Sequence, residues 1–125
     1  MFKNNAAFSS FSVDDLAKAN KFYSQTLGLK VTKEEMGHLV LHLDGGTETM
    51  IYPKGEDHVT ANFTILNFLV EDIDSAVEQL SASGVKFEQY EGDLKTDEHG
   101  IFRGGPLMAW FKDPAGNILS IIQDE

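Results

Sequence analysis

The chain repeats itself. The run FSVDDLAKANKFYSQTLGLKV, Phe11 to Val31, matches FLVEDIDSAVEQLSASGVKF, Phe68 to Phe87, in more than hydrophobic pattern. Phe11, Val13, Asp15 and Leu16 answer to Phe68, Val70, Asp72 and Ile73 at a spacing of 57. Gly28, Lys30 and Val31 answer to Gly84, Lys86 and Phe87 at 56, so the first helical stretch is longer by one residue. A shared acid and a shared terminal glycine lift this above a chance recurrence of apolar spacing. Two modules built alike are expected, over about residues 5–53 and 61–124, within a single domain of residues 1–125.

Each module reads as a strand, a helix and then further strands. Phe11 and Val13 alternate with Ser10 and Ser12, a period of two with one apolar face. Asp14 or Asp15 offers the N-cap oxygen for a helix whose stripe is Leu16, Ala19, Phe22, Tyr23 and Leu27, and Gly28 ends it. In the second module Ile73, Ala76, Val77 and Leu80 form the stripe, with Asp72 and Asp74 competing for the cap and Ser75 and Glu78 spaced as a capping box. Strands are expected at Leu39–Leu43, Thr47–Tyr52, Val85–Tyr90, Met108–Phe111 and Asn117–Ile122, with turns at Asp44-Gly45-Gly46 and Asp113-Pro114-Ala115-Gly116-Asn117. The result is an α+β fold, two tandem βαβββ modules forming a curved mixed sheet. One helix per module covers only one sheet face, so a concave cavity is expected on the other.

Composition narrows the partners. Twenty acids against ten bases, net charge −10, argue against nucleic acid and against an anionic membrane surface, both of which require clustered Lys and Arg. With no cysteine there is neither a disulfide framework nor a thiolate nucleophile. The run MFKNNAAFSS lacks the apolar stretch of a secretion signal, and the expected location is the cytoplasm.

The paired βαβββ pattern, the run from Val13 to Val31 and FKDPAGNILSI from Phe111 to Ile121 resemble the vicinal oxygen chelate superfamily of glyoxalases, bleomycin-resistance proteins and extradiol dioxygenases. The resemblance implies four inward-facing donors, two from each module, around a divalent metal. Carried onto this chain, those positions fall on Phe8, on Thr49 (or Glu48 with a slip of one), on Ile65 and on Ser120. Phe and Ile have no lone pair, and neutral hydroxyls make poor ligands without carboxylate or imidazole company. No metal or other cofactor is expected. The resemblance then implies a metal-independent protein that holds a small organic ligand, as a homodimer. The alternative is a lyase, isomerase or dioxygenase of the same superfamily with a displaced metal or an acid/base site.

Period-two alternation assigns the expected cavity lining: Phe8, Ser10 and Ser12; His38, Val40 and His42; Thr49 and Ile51; Ile65, Asn67 and Leu69; Met108 and Trp110; Ser120 and Ile122. His38 and His42 are about 13 Å apart at ~3.3 Å per strand residue, too far to share a metal. His42 and His99 are the catalytic candidates, while His58 reads as surface. The stretch Glu91 to Pro106 is long for a simple connection and suggests a lid or binding loop. Within it Arg103, among glycines, is the expected grip for an anionic group, with Trp110 and Tyr90 offering stacking faces to a carboxylate-bearing aromatic.

Overall fold

A computed structural model describes residues 1–124 as two compact units divided between Val59 and Thr60. Each is a four-stranded sheet with one principal helix, as the repeat requires. The first unit runs β1 (Ser9–Val13), α1 (Leu16–Lys21), β2 (Lys30–Lys33), β3 (Leu39–His42) and β4 (Glu48–Pro53). The second runs β5 (Thr64–Val70), α2 (Ile73–Ala82), β6 (Ile101–Phe102), β7 (Met108–Lys112) and β8 (Ile118–Gln123). Strand orders correspond, β1-β4-β3-β2 and β5-β8-β7-β6, with the first pair of each parallel and the others antiparallel.

Asp15 and Asp72 hold the helix starts. Their carboxylates accept from the Lys18 and Ser75 amides at 3.1 and 3.2 Å, which satisfies one orphan N–H in each first turn. The capping box does not form; the Ser75 hydroxyl instead accepts from the Gln79 side chain at 3.1 Å. The change of repeat spacing has a local cause. After Lys21 the first helix widens into a π-helical turn, Phe22–Thr26, closed by Leu27 N–H to Phe22 O at 2.9 Å, whereas α2 is α-helical throughout. A single extra residue is what a π turn accommodates without breaking the helix. Both segments then leave the helix through a left-handed glycine, Gly28 at φ 73° and Gly84 at φ 98°.

The core lies between each helix and one face of its sheet. In the first unit Phe11, Val13, Leu39, Leu41 and Ile51 are buried there with Ala19 and Tyr23, and the Phe11 and Tyr23 rings meet at 5.8 Å. In the second Ala109, Phe111, Leu119 and Ile121 are buried with Ile73 and Val77 of α2. The Gln123 side chain accepts from the Ile73 amide at 3.0 Å, tying the helix start to β8.

The expected strand Val85–Tyr90 is present only in part. Phe87 bridges Phe111, and the Glu88 amide donates to Trp110 O at 2.8 Å, so this segment starts along β7. The chain then departs and returns, with Ile101 and Phe102 resuming the same line opposite Ala109 and Met108. The outer strand of the second sheet is thus interrupted by an excursion over residues 89–100.

Replacing Asp72 by Ala removes the α2 cap while leaving the core untouched. The expected loss is about 1 kcal/mol, read as a lower urea midpoint with an unchanged slope.

Candidate functional site

Pairing registers decide which side chains share a face. In the first unit Ser9, Phe11 and Val13 pair with Thr49, Ile51 and Pro53, and Leu39 and Leu41 pair with Ile51 and Thr49. Because Phe11 packs on Tyr23, this is the helix-covered face, and Thr49 and Ile51 belong to it. Thr49 is buried, with its hydroxyl 3.0 Å from that of Ser9. The helix-free face carries Ser10, Ser12, Val40, His42, Glu48, Met50 and Tyr52. The alternation expected to place Thr49 and Ile51 there is out by one residue, and a slip of one reverses a strand.

The same registers test the metal positions. Ser10 pairs with Met50, as Asn67 pairs with Ser120 in the second unit, so the residue matching Ser120 is Met50 rather than Thr49. Phe8 is 69% exposed and offers no donor. Ile65 lies where the β5–β8 register shifts, between Thr64 and Leu66. Ser120 is fully buried, and its hydroxyl donates to Asn67 Oδ1 at 2.5 Å. A phenyl ring, a thioether, an alkyl chain and an already committed hydroxyl do not make a ligand set for a hard divalent ion. Among the described residues, no three His, Asp or Glu side chains come together in a way that would hold a metal.

In the second unit Asn67, Leu69, Met108, Trp110, Ser120 and Ile122 share the helix-free face. Leu69 is 68% exposed there, whereas Trp110 is buried. Trp110 stands edge-on to Tyr90 at 5.3 Å and 74°, and Phe102 lies 6.3 Å from it on the other strand. Beside Trp110 is a hollow of about 430 Å³, open to solvent, lined by Phe63, Tyr90, Leu94 and Ile118 with Asn62, Glu91 and Asp93. Its volume is in the range of small-molecule sites. Burial, aided by the charge of Glu88, pushes the Tyr90 phenol above its usual value and keeps it neutral. The wall is therefore aromatic and uncharged, and the rim carries two carboxylates.

Four of the nine lining residues, Tyr90, Glu91, Asp93 and Leu94, come from the 89–100 excursion, whose shape depends on one carboxylate. Asp97 accepts from the amides of His99 and Ile101 at 2.9 Å each and from Arg103 Nε at 3.0 Å. Burial pushes its carboxyl upward, but the bonds from Ile101, Arg103 and His99 outweigh this and hold it below its ordinary value. Gly100 completes the return at φ 85°; a Cβ there would meet the Phe87 Cβ at 2.8 Å. Arg103 has a second carboxylate, Asp74 of α2, at 2.6 Å. The guanidinium expected to grip a ligand thus fastens the excursion to the helix. His99 sits on the same side, its Nε2 3.5 Å from Glu98 and both largely exposed.

Two histidines of the first unit, His42 on β3 and His58 beyond β4, are better engaged than the sequence suggests. His42 Nδ1 is 3.1 Å from Glu48 and its Nε2 2.9 Å from the Thr32 hydroxyl. His58, read as surface, is half-buried with Nδ1 2.8 Å from Ser12 Oγ. Neither Thr32 nor His58 stands out by spacing, because both contacts join segments distant in sequence.

A model of the glyoxalase/bleomycin resistance protein/dioxygenase superfamily matches residues 7–121. The chain belongs to this superfamily. No curated protein sequence matches it significantly. Among solved structures, the antibiotic-binding protein TnmS3 of a Streptomyces strain superposes with a TM-score of 0.68 at 21% identity, covering 98% of both chains. The fosfomycin resistance protein FosX of Listeria monocytogenes gives 0.70 at 13%, covering 98% of this chain and 94% of its own. An integron cassette protein from the mobile metagenome of a Halifax Harbour sewage outfall gives 0.70 at 20%, covering 96% and 99%. At these identities the likeness is one of fold.

Replacing Asp97 by Ala is expected to speed amide exchange across residues 95–103 well before the rest of the second unit. In the parent chain the lowered carboxyl gives the clamp its full strength above the ordinary value of 3.8, and that strength is lost as pH falls through the lowered value. Exchange measured from pH 6 down to about 3 checks the direction.

Proposed function

We propose that this superfamily member binds a small organic ligand in the hollow beside Trp110, without a metal, as a soluble cytoplasmic homodimer. The observation that carries the reading is the hollow itself: an aromatic wall of Phe63, Tyr90 and Trp110 under a rim of Glu91 and Asp93. Flat apolar surface is taken up by aromatic walls, and exposed carboxylates favour a cation nearby. The ligand class is therefore a planar aromatic with a protonated amine. This departs from the carboxylate-bearing aromatic suggested by Arg103, since that guanidinium already faces Asp97 and Asp74. The fold likeness to an antibiotic-binding protein supports a sequestering role. Metal independence is supported by the donor-poor residues at the four positions, and pairing with a second copy by the exposed Leu69 and Phe8.

Trp110 is the only tryptophan in the chain, so its fluorescence reports directly on the hollow. Titration with a cationic acridine is expected to give saturable quenching that EDTA does not change. Glu91→Gln and Asp93→Asn should each weaken binding roughly two- to fivefold, and less at high salt. Tyr90→Ala, followed by calorimetry, should cost roughly two- to tenfold. Quenching that disappears with EDTA, or stronger binding of an anionic analogue, would overturn the reading.

A further inference from the structure

The helix-free face of the first sheet carries a second constellation, using no residue of the second unit. Thr32 on β2, His42 on β3 and Glu48 on β4 lie on three successive strands. His42 and Glu48 are directly opposite each other, and Thr32, opposite Val40, is two pairs along from the Lys30–His42 pair and so on the same face. Glu48 Oε2 is 3.1 Å from His42 Nδ1, and His42 Nε2 is 2.9 Å from Thr32 Oγ1. A carboxylate can only accept, so it fixes the ring proton on Nδ1 and leaves the Nε2 lone pair toward the hydroxyl. The Thr32 O–H then donates to Nε2. His42 and Thr32 are half-buried and Glu48 is exposed, so the hydroxyl is held in place yet within reach. Lys30, opposite His42, leaves its strand on the same face and adds a positive charge to it.

We propose that Thr32, His42 and Glu48 form a nucleophile, base and orienting carboxylate that accept an acyl group from small activated carboxylic esters. Hydroxyl, imidazole and carboxylate bonded in that order are the arrangement that makes a neutral hydroxyl nucleophilic. Thr32 Oγ1 attacks the ester carbonyl carbon as its proton passes to His42 Nε2, and Glu48 stabilises the resulting imidazolium. The tetrahedral oxyanion forms on the face that carries the Lys30 ammonium. Its collapse breaks the ester C–O bond, and the departing oxygen takes the proton from Nε2. Water then attacks the Thr32 ester, giving one proton to His42; the acid is released and Oγ1 recovers that proton. Electrons and protons balance without a metal or a redox partner.

The test uses the whole chain with p-nitrophenyl acetate at neutral pH. The expected result is a burst of nitrophenolate of about one equivalent per chain, with an acetyl group located on Thr32 by peptide mass spectrometry. Thr32→Ser should keep both burst and adduct, and Thr32→Val should lose both. His42→Gln should slow the burst roughly 100-fold, and Glu48→Gln roughly tenfold or more. Circular dichroism establishes that each variant is folded. A folded parent chain with no burst, acetylation confined to lysines, or a burst undiminished in Thr32→Val would overturn the proposal. None of these outcomes depends on the hollow beside Trp110, so acyl transfer and ligand binding succeed or fail separately.

Discussion

One helix can cover only one face of a four-stranded sheet, and the rest of this architecture follows from that constraint. Tyr23 on Phe11 in the first unit, and Ile73 and Val77 over the second sheet, settle which strand residues become core. Everything of opposite parity is left for other work. Asn67, Trp110 and Ser120 on one sheet and Thr32, His42 and Glu48 on the other are residues that the helices do not need. A sheet covered on both faces would have to place apolar side chains at these positions.

The two units share a plan and differ in their departures from it. In the first, an added residue is absorbed by the π turn at Phe22–Thr26, so the strands that follow keep their register. In the second, the outer strand is opened by an excursion of residues 89–100, and the chain rejoins the line at Ile101. The excursion supplies Tyr90, Glu91, Asp93 and Leu94 to the hollow. Its position rests on Asp97, which binds two backbone amides and Arg103, and through Arg103 reaches α2. A clamp built from charged hydrogen bonds can hold an open loop where there is no apolar core to do so.

Much of this was legible from residue order. The repeat, both N-caps and both helix-ending glycines depend on neighbours within a few positions, and such local chemistry is written in the sequence directly. The family resemblance followed from the same features. The face assignment succeeded for Ser10, Ser12, His42, Asn67 and Trp110, where strand parity could be counted from a buried aromatic or branched residue. It failed at Thr49, because the turn at Asp44-Gly45-Gly46 leaves the phase of the next strand open by one residue. Arg103 was misread for a different reason. A lone cation among glycines invites a ligand, but its partner Asp74 lies 29 residues away on a helix.

The sequence by itself determined two βαβββ modules and a net charge of −10, while its placing of Thr49 at a metal position gave way to Met50 once the strands were paired. Only the tertiary structure decided the sites. It brought Tyr90 to Trp110, gave Arg103 to Asp97 and Asp74, and joined Thr32, His42 and Glu48 across three strands. The physical reason is the range of the forces that act. Caps, turns and periodicity are governed by near neighbours along the chain. Which polar side chains meet depends on strand pairing, and a single residue of register exchanges one face of the sheet for the other.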